Sequence, residues 1–394
     1  MKPRARRKRY PHVAVYVDTS RNYGRNILHG IADYVETYGP WSIFVDPDAT
    51  GDIDLSWLTR WTGDGILAFI VNRRAASRLR RSKTPTVELY GYRNDLQLPC
   101  VANDEIAIGR LAATHLIDRQ FANFAYSGYA DQRWAERRYR GFADAIAEAG
   151  FHCHRFRYAR HRPTIASWEK TQDRLIAWLH PLPKPLGLMA CSDRHAQSIL
   201  AACRRAQLAV PEEVAVIGVD NDEEMCRLSD PPLSSIIENS RKVGFEAARL
   251  LDRLMTGQVQ PHHVQPVLID PPGVVTRRST DVTAIDDEVI AHAVQFIRER
   301  ACDSIGVDHV LDALSVSRSA FYRRFQAIVG RSPHEEIVRV QLERVKNLLT
   351  LTSLPLPRIA QLAGFKHPEY MSVAFKREVG ITPGQFRKRH RQPA

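Results

Sequence analysis

Cysteine, methionine and tryptophan are scarce in this chain: six, five and six among 394 residues. The cysteines stand singly at positions 100, 153, 191, 203, 226 and 302, and no two form a Cys-x-x-Cys pair. That spacing lacks the signature of a zinc ribbon. Isolated small thiols suit a reducing cytoplasm better than a disulfide framework. No window of about 18 residues is both apolar and uncharged, so no membrane-spanning helix is expected. The N-terminus is basic but no apolar run follows it, so a secretory leader is not expected. A Gly-x-x-x-x-Gly-Lys loop and a Gly-x-Ser-x-Gly elbow are both missing, which argues against a kinase and against an α/β-hydrolase. His152-Cys153-His154 and His262-His263 come without a second ligand pair. On a strand His152 and His154 point one way and Cys153 the other, so neither metal nor cofactor is expected.

Acidic residues are sparse at both ends of the chain. The net charge is +12. Residues 1–9 hold six Lys/Arg and no acid, and residues 317–394 hold fifteen Lys/Arg against five acids, which leaves −4 for the stretch between. A polyanionic partner therefore belongs to the ends, and the acidic middle is not the nucleic-acid surface. The basic tail, residues 1–11, reads as a solvated arm, an uncertain start or a phosphate-contacting segment.

The last third of the chain repeats itself. Val329-Gly330-Arg331-Ser332-Pro333 returns as Val379-Gly380-Ile381-Thr382-Pro383, and Phe325 returns as Phe375. Each copy follows an amphipathic stretch, with Phe321, Phe325 and Ile328 as the buried stripe of the first. A repeat in a basic helical segment reads as two helix-turn-helix units, about 307–330 and 356–380, within a DNA-binding domain over 286–394. Ile337 to Leu351 is the connecting helix. The offset between units is 49 at the turn and 50 beyond it. The second helix of each unit can enter a major groove. Arg318, Arg323, His367, Glu369 and Ser372 are the candidates for base edges, Ser319 is a further DNA-binding candidate beside them, and Arg324, Lys376, Arg377 and the Arg387–Arg389 run suit phosphates.

Residues 12–281 alternate apolar runs with amphipathic helices: Val13–Val17, a helix to Tyr38, Trp41–Val45, Gly65–Phe69, Pro85–Leu89, a helix from about Asp104, Phe124–Tyr126, a helix from about Ala135, Gly187–Cys191, a helix from about Arg194, Val214–Val219, and a helix from about Arg241 to Met255. The pattern predicts an α/β fold with parallel sheets. Ligands meet such sheets at the carboxyl ends of strands. Asp18, Asp104, Asp193 and Asp220 fall there, with Trp134 and Arg138 near the start of one helix. Asp104 and Asp193 read equally as helix caps or ligand contacts. Carboxylates, a guanidinium fork and an indole face are what a sugar requires.

The stretch Asp193–Asp220, with Val210-Pro211 and Gly218-Val219-Asp220, resembles the LacI/GalR repressors and periplasmic sugar-binding proteins, as does Arg138-Tyr139-Arg140-Gly141-Phe142. The resemblance spans about residues 12–280. It implies two lobes hinged around a small-molecule cleft, three chain crossings, and effector contacts at Arg138, Asp220 and the acidic residue at 104. Those repressors place a helix-turn-helix ahead of the core; here only a short basic tail precedes it. Ala363-Gly364-Phe365 through Thr382-Pro383-Gly384-Gln385-Phe386-Arg387 is similar to the AraC/XylS activators. The connecting helix departs from them, with Gln341 where Arg is common and Val345 where Ala is, so a phosphate contact from position 341 is not expected. The uncommon order of the two modules, with Arg277-Arg278-Ser279-Thr280-Asp281 between them, resembles the xylose-operon regulator family. That implies a homodimeric, cytoplasmic activator of pentose genes that answers D-xylose, binds DNA and works beside RNA polymerase. The alternatives are the same architecture answering another sugar, or a sugar-modifying enzyme, for which no leaving-group chemistry is visible.

Overall fold

The computed structural model describes residues 10–46, 57–70, 73–91, 97–158, 165–281, 287–314 and 316–390. The basic tail over 1–9, Asp286 and the side chain of Arg389 lie outside the described residues. In chain order the elements are β1 (His12–Tyr16), α1 (Asn22–Tyr38), β2 (Ser42–Val45), β3 (Gly65–Ala68), α2 (Arg73–Ser82), β4 (Thr86–Glu88), β5 (Val101–Asn103), α3 (Glu105–Ile117), β6 (Asn123–Tyr129), α4 (Arg133–Glu148), β7 (Cys153–Tyr158), α5 (Ile165–Leu179), β8 (Leu186–Ala190), α6 (Asp193–Arg205), β9 (Val214–Val219), α7 (Glu223–Leu228), β10 (Ser234–Ile237), α8 (Ser240–Met255), β11 (Val267–Ile269) and β12 (Gly273–Val275). Helices follow: α9 (Glu288–Arg300), α10 (Val307–Leu314), α11 (Arg318–Val329), α12 (Pro333–Leu351), α13 (Leu356–Leu362), α14 (Pro368–Val379) and α15 (Pro383–His390). Helices α2, α5, α7 and α15 and strands β5, β7, β10 and β12 are not apparent in the sequence. They are short or rich in polar residues, and tertiary packing decides them.

The chain forms two compact units, Met1–Glu105 with Glu238–Pro271, and Ile106–Ile237 with Pro272–Ala394, so it passes from one to the other three times. In the first unit a parallel sheet runs β2-β1-β3-β4, and β5 pairs with β11. Val13, Val15, Leu67, Val87 and Val101 are fully buried, as expected of strands covered on both faces. Helices α1 and α8 cross closely because glycines line the crossing. A Cβ on Gly30 would lie 1.8 Å from the Arg241 carbonyl oxygen, and one on Gly244 would lie 2.1 Å from that of Ile27.

In the second unit a six-stranded sheet runs β12-β10-β9-β8-β6-β7, parallel except for β12 against β10. The all-apolar Val214–Val219 run is β9, with every residue buried. Here too a glycine pair sets a helix crossing. A Cβ on Gly141 of α4 would sit 2.1 Å from the Ile106 carbonyl oxygen of α3, and one on Gly109 of α3 would sit 2.1 Å from the carbonyl oxygen of Arg138. The crossing fixes the backbone of Arg138.

The helices after residue 287 show what the sequence repeat encodes. Gly330 and Gly380 end α11 and α14 in the left-handed conformation, with φ of 76° and 80°. Ser332 and Thr382 then cap α12 and α15, each followed by proline in the first turn. Ser332 Oγ accepts from the Glu335 amide while Glu335 accepts from the Ser332 amide. Thr382 and Gln385 make the same reciprocal pair. The repeated pentapeptide is therefore a stop signal and a start signal in sequence. Two cores result, one around Phe321 and Phe325 and one around Met371 and Phe375.

Candidate effector site and DNA-reading helices

In the second unit Trp134, Arg138, Asp193 and Asp220 gather at the carboxyl ends of β6, β8 and β9. Arg138 is buried; its Nη1 donates to the Cys191 carbonyl at 2.6 Å and lies 3.6 Å from Asp220 Oδ1. The Trp134 ring stands 4.8 Å from the guanidinium carbon, a cation–π contact that holds the fork flat. Asp220 (φ 110°) and Asn221 (φ 45°) both occupy backbone regions that non-glycine residues avoid. The surroundings hold them there. The Asp220 amide donates to the Ile236 carbonyl, the Asn221 amide to Ser235 Oγ and the Asp222 amide to Asp193 Oδ2. Enforced strain of this kind presents a side chain in one fixed direction.

Asp193 is placed differently from the other three. It is 1 % exposed. Ser235 donates to its Oδ1 at 2.6 Å, while Oδ2 accepts from the Asp222 amide at 2.9 Å. The cap of α6 is Ser192, which accepts from the His195 amide. Asp193 is thus a strut under the Asp220 loop. An aromatic group that the sequence reading did not single out completes this end of the sheet. His195 lies 5.2 Å from Tyr158 and 5.4 Å from Tyr129, and its Nε2 is 2.7 Å from Ser127 Oγ. Burial pushes its pKa down to about 4, so the ring is neutral. The pairing of β6 with β7 and the packing of α6 unite these residues, and no local pattern marks them.

Asp18 and Asp104 belong to the first unit. Asp18 follows β1 and ties its own loop: Oδ1 accepts from the Ser20 amide and hydroxyl, and Oδ2 pairs with Arg21 at 3.2 Å. Asp104 sits between β5 and α3, its amide donating to the Ile269 carbonyl. Glu88 also lies at a strand end, that of β4. Its carboxyl accepts from the Tyr90 amide at 2.6 Å and from Cys100 Sγ at 3.2 Å, and burial pushes its pKa up to about 7. Among the described residues no group of three His, Cys, Asp or Glu could hold a metal ion.

On the helical module, α11 and α14 are each twelve residues long and superpose at an offset of 50. The buried residues are Phe321, Phe325 and Val329 in one, and Met371, Ala374 and Phe375 in the other. Arg318, Ser319, Arg323, Arg324, His367, Glu369, Lys376 and Arg377 are all exposed, and Ser372 is half-buried. Arg318 pairs with Asp308, and Arg324 with Asp287, the cap of α9. Ser372 donates its hydroxyl to the Pro368 carbonyl of its own helix. Two exposed residues on α14 had not been marked: Val373 (67 % exposed) and Tyr370 (45 %). Val373 lies opposite Met371 and Phe375 and aligns with Arg323 of the first unit. A helical wheel begun at Pro368 shows this in the sequence alone. Gln341 is buried in α12 and donates to the Ala301 and Gly364 carbonyls at 2.9 and 3.2 Å, so it staples the module together.

Three family models match the chain: an XylR N-terminal domain over residues 12–106, a periplasmic binding protein-like domain over 113–280 and a helix-turn-helix domain over 310–389. The xylose operon regulatory protein of Escherichia coli K12 is 32 % identical over 383 residues, which cover 95 % of this chain and 96 % of that one. The chain belongs to the xylose operon regulator family. The corresponding protein of Haemophilus influenzae is 31 % identical over 388 residues, 96 % of this chain and 99 % of that one. A solved structure described as xylose-binding transcription activator xylR matches with a TM-score of 0.63 at 30 % identity, covering 98 % of this chain and all of the other. As a member of the xylose operon regulator family, the protein is a sugar-responsive DNA-binding transcription regulator and not an enzyme.

Proposed function

We propose that the effector is D-xylose and that its binding activates transcription of pentose-catabolic genes. The observation that carries this reading is the Arg138–Asp220 pair beside the Trp134 indole, in a chain similar over its whole length to xylose regulators. A carboxylate and a guanidinium 3.6 Å apart bridge vicinal hydroxyls, and an indole covers the apolar face of a sugar ring. Within the first unit Asp18 and Asp104 are the candidate carboxylates for the effector, and within the second Asp193 acts by holding the Asp220 loop. The effector domain extends over 12–281 and the DNA-binding domain over 286–394.

On DNA, Arg323 and Val373 occupy equivalent places but carry different chemistry. A guanidinium forks onto guanine, whereas a bare valine suits the thymine methyl group. The two units of one chain accordingly read different bases, with Ser319, His367, Glu369 and Ser372 at the edges of the reading faces. Arg324, Lys376 and Arg377 supply charge toward phosphates, Arg324 after leaving Asp287, and Arg318 reaches a base edge after leaving Asp308. The protein acts in the cytoplasm as a homodimer, placing four helix-turn-helix units on two half-sites next to RNA polymerase.

The test begins with a duplex selected from a random-sequence pool by the full-length protein. Fluorescence anisotropy then measures its affinity with D-xylose, other pentoses and no sugar. D-xylose alone should change the affinity or the preferred half-site spacing. Identical curves in every sugar would refute the reading.

A further inference from the structure

The effector loop and the DNA-binding module are joined inside the second unit by one continuous polar path. It begins beside Asp220. The Asn221 side-chain carbonyl accepts from Arg277 Nη2 at 2.9 Å, and Arg277 Nη1 donates to the Leu233 carbonyl at 2.9 Å. Ser234, fully buried, donates to the Arg277 carbonyl and accepts from the Arg277 amide, both at 2.8 Å. Thr280 donates its hydroxyl to Ser234 at 2.7 Å. That hydroxyl can then only accept from His115 Nε2, 2.9 Å away, which leaves His115 Nδ1 to accept from Arg119 at 3.0 Å. The network fixes one tautomer of a neutral ring. Burial and, after it, the charges of Arg119, Arg298 and Arg339 hold the imidazole pKa well below its ordinary value, consistent with that tautomer. Arg119 Nε closes the path by donating to the Thr280 carbonyl at 2.8 Å.

The path ends at the module. Asp118, the neighbour of Arg119, lies 3.8 Å from both Arg331 and Arg339. These two arginines flank Glu336 on α12, the helix that joins the two helix-turn-helix units. Arg339 holds Glu336 by two hydrogen bonds of 2.7 and 2.8 Å, and Arg331 is 3.5 Å from it. The arginine pair is thus firmly seated on the module, while Asp118 stands just outside hydrogen-bond reach of both. A displacement of about 1 Å at the end of α3 closes or opens these contacts. None of the residues from Arg277 to Asp118 is on a reading face.

We propose that the path from Asn221 through Arg277, Ser234, Thr280, His115 and Arg119 to the Asp118–Arg331–Arg339–Glu336 cluster transmits effector occupancy to α12, with Arg277 and Asp118 as its positioning residues. The Arg277–Asp281 stretch between the two modules thereby has a task beyond linking them. Sugar that engages Asp220 shifts the strained Asp220–Asn221 turn, Arg277 follows its partner, and the end of α3 moves against the two arginines. The proposal rests on the sugar-responsive reading above.

The measured quantity is the ratio of affinities for the selected duplex with and without D-xylose in the full-length protein. By linkage the same ratio appears in D-xylose affinity with and without DNA. Asp118→Asn and Arg277→Gln should each lower the ratio at least about fivefold toward unity, a typical span for such coupling. D-xylose affinity without DNA and DNA affinity without sugar should stay within about threefold of the parent, well under one coupling unit. The double variant Asp118→Asn/Arg331→Gln should lose no more than Asp118→Asn alone, because both cut one path. A ratio unchanged in Asp118→Asn overturns the proposal. So does a ratio lost together with sugar or DNA binding, which marks a residue needed only for folding. A parent protein with a ratio of one for every pentose instead overturns the sugar-responsive reading itself.

Discussion

Glu88 makes the stability of the first unit depend on pH in a direction opposite to that of most carboxylates. The side chain is 1 % exposed, and burial pushes its pKa from an ordinary 4.5 up to about 7. Hydrogen bonds from the Tyr90 and Gly91 amides and from Cys100 favour the charged form but do not offset desolvation. The folded state therefore holds its proton more tightly than the unfolded chain. Its contribution is fully present below about pH 4.5 and declines as pH rises through about 7. A shift of this size corresponds to a loss of about 1 kcal/mol by about pH 5.5 and about 3 kcal/mol by about pH 7. Glu88→Gln removes the titration and keeps an oxygen for the Tyr90 amide; its NH₂ faces Cys100 Sγ, a weak acceptor, and the Gly91 amide, a donor, which adds a cost that does not change with pH. Urea unfolding of parent and variant, followed at steps between about pH 5 and about pH 8, isolates the residue, because every other group titrates equally in both. The variant should gain on the parent by about 2 kcal/mol across that range. A difference between the two that does not change with pH would refute the argument that burial dominates at Glu88.

Asp220→Ala should weaken D-xylose binding at least about tenfold, because the sugar loses a charged hydrogen-bond acceptor worth about 1.5–3 kcal/mol beside Arg138. DNA affinity without sugar should persist, and calorimetry with anisotropy separates the two. Val373→Ala should cost about 1 kcal/mol at a single thymine of the selected duplex, the worth of a buried methyl or two. Replacing that thymine by uracil should reproduce the loss in the parent and add nothing in the variant. Gly364→Ala should destabilise the module by about 1–3 kcal/mol, since φ is 80° and a Cβ would lie 2.6 Å from the Ala301 carbonyl oxygen. Thermal unfolding should show a smaller effect, about 1 kcal/mol from the left-handed backbone alone, for Gly380→Ala, where φ is also 80° but no atom lies within 4 Å of an added Cβ.

The parts of the fold legible in the sequence are those that local chemistry decides. The repeated Val-Gly-x-Ser/Thr-Pro is a left-handed helix end, a cap and a first-turn proline, all within five residues. The one-residue offset reappears in where the helices begin: α10 and α13 start 49 residues apart, α11 and α14 start 50 apart. Val214–Val219 reads as a buried strand because every residue is apolar. The same locality explains the omissions. Strand β7, Cys153-His154-Arg155-Phe156-Arg157-Tyr158, is mixed in character and half-buried except at exposed Arg157, and only its pairing with β6 makes it a strand. The exposed face of α14 was available in the sequence, yet charge drew attention to His367 and Glu369 and away from Val373.

By itself, then, the sequence determined the class of each half of the protein: an α/β sugar-binding core, a doubled helix-turn-helix module, and Arg138 and Asp220 as the pair to watch. Only the tertiary structure decided what each polar residue does. Asp193 and Asp220 look alike in sequence, both carboxylates at strand ends. One is sealed under the loop by Ser235 and Asp222, and the other stands beside Arg138 in a strained turn. Arg277, Thr280, His115 and Asp118 carry no common motif, because hydrogen bonds between residues far apart in the chain leave no period in it. Their connection exists only once β9, β10, α3 and α12 are packed together.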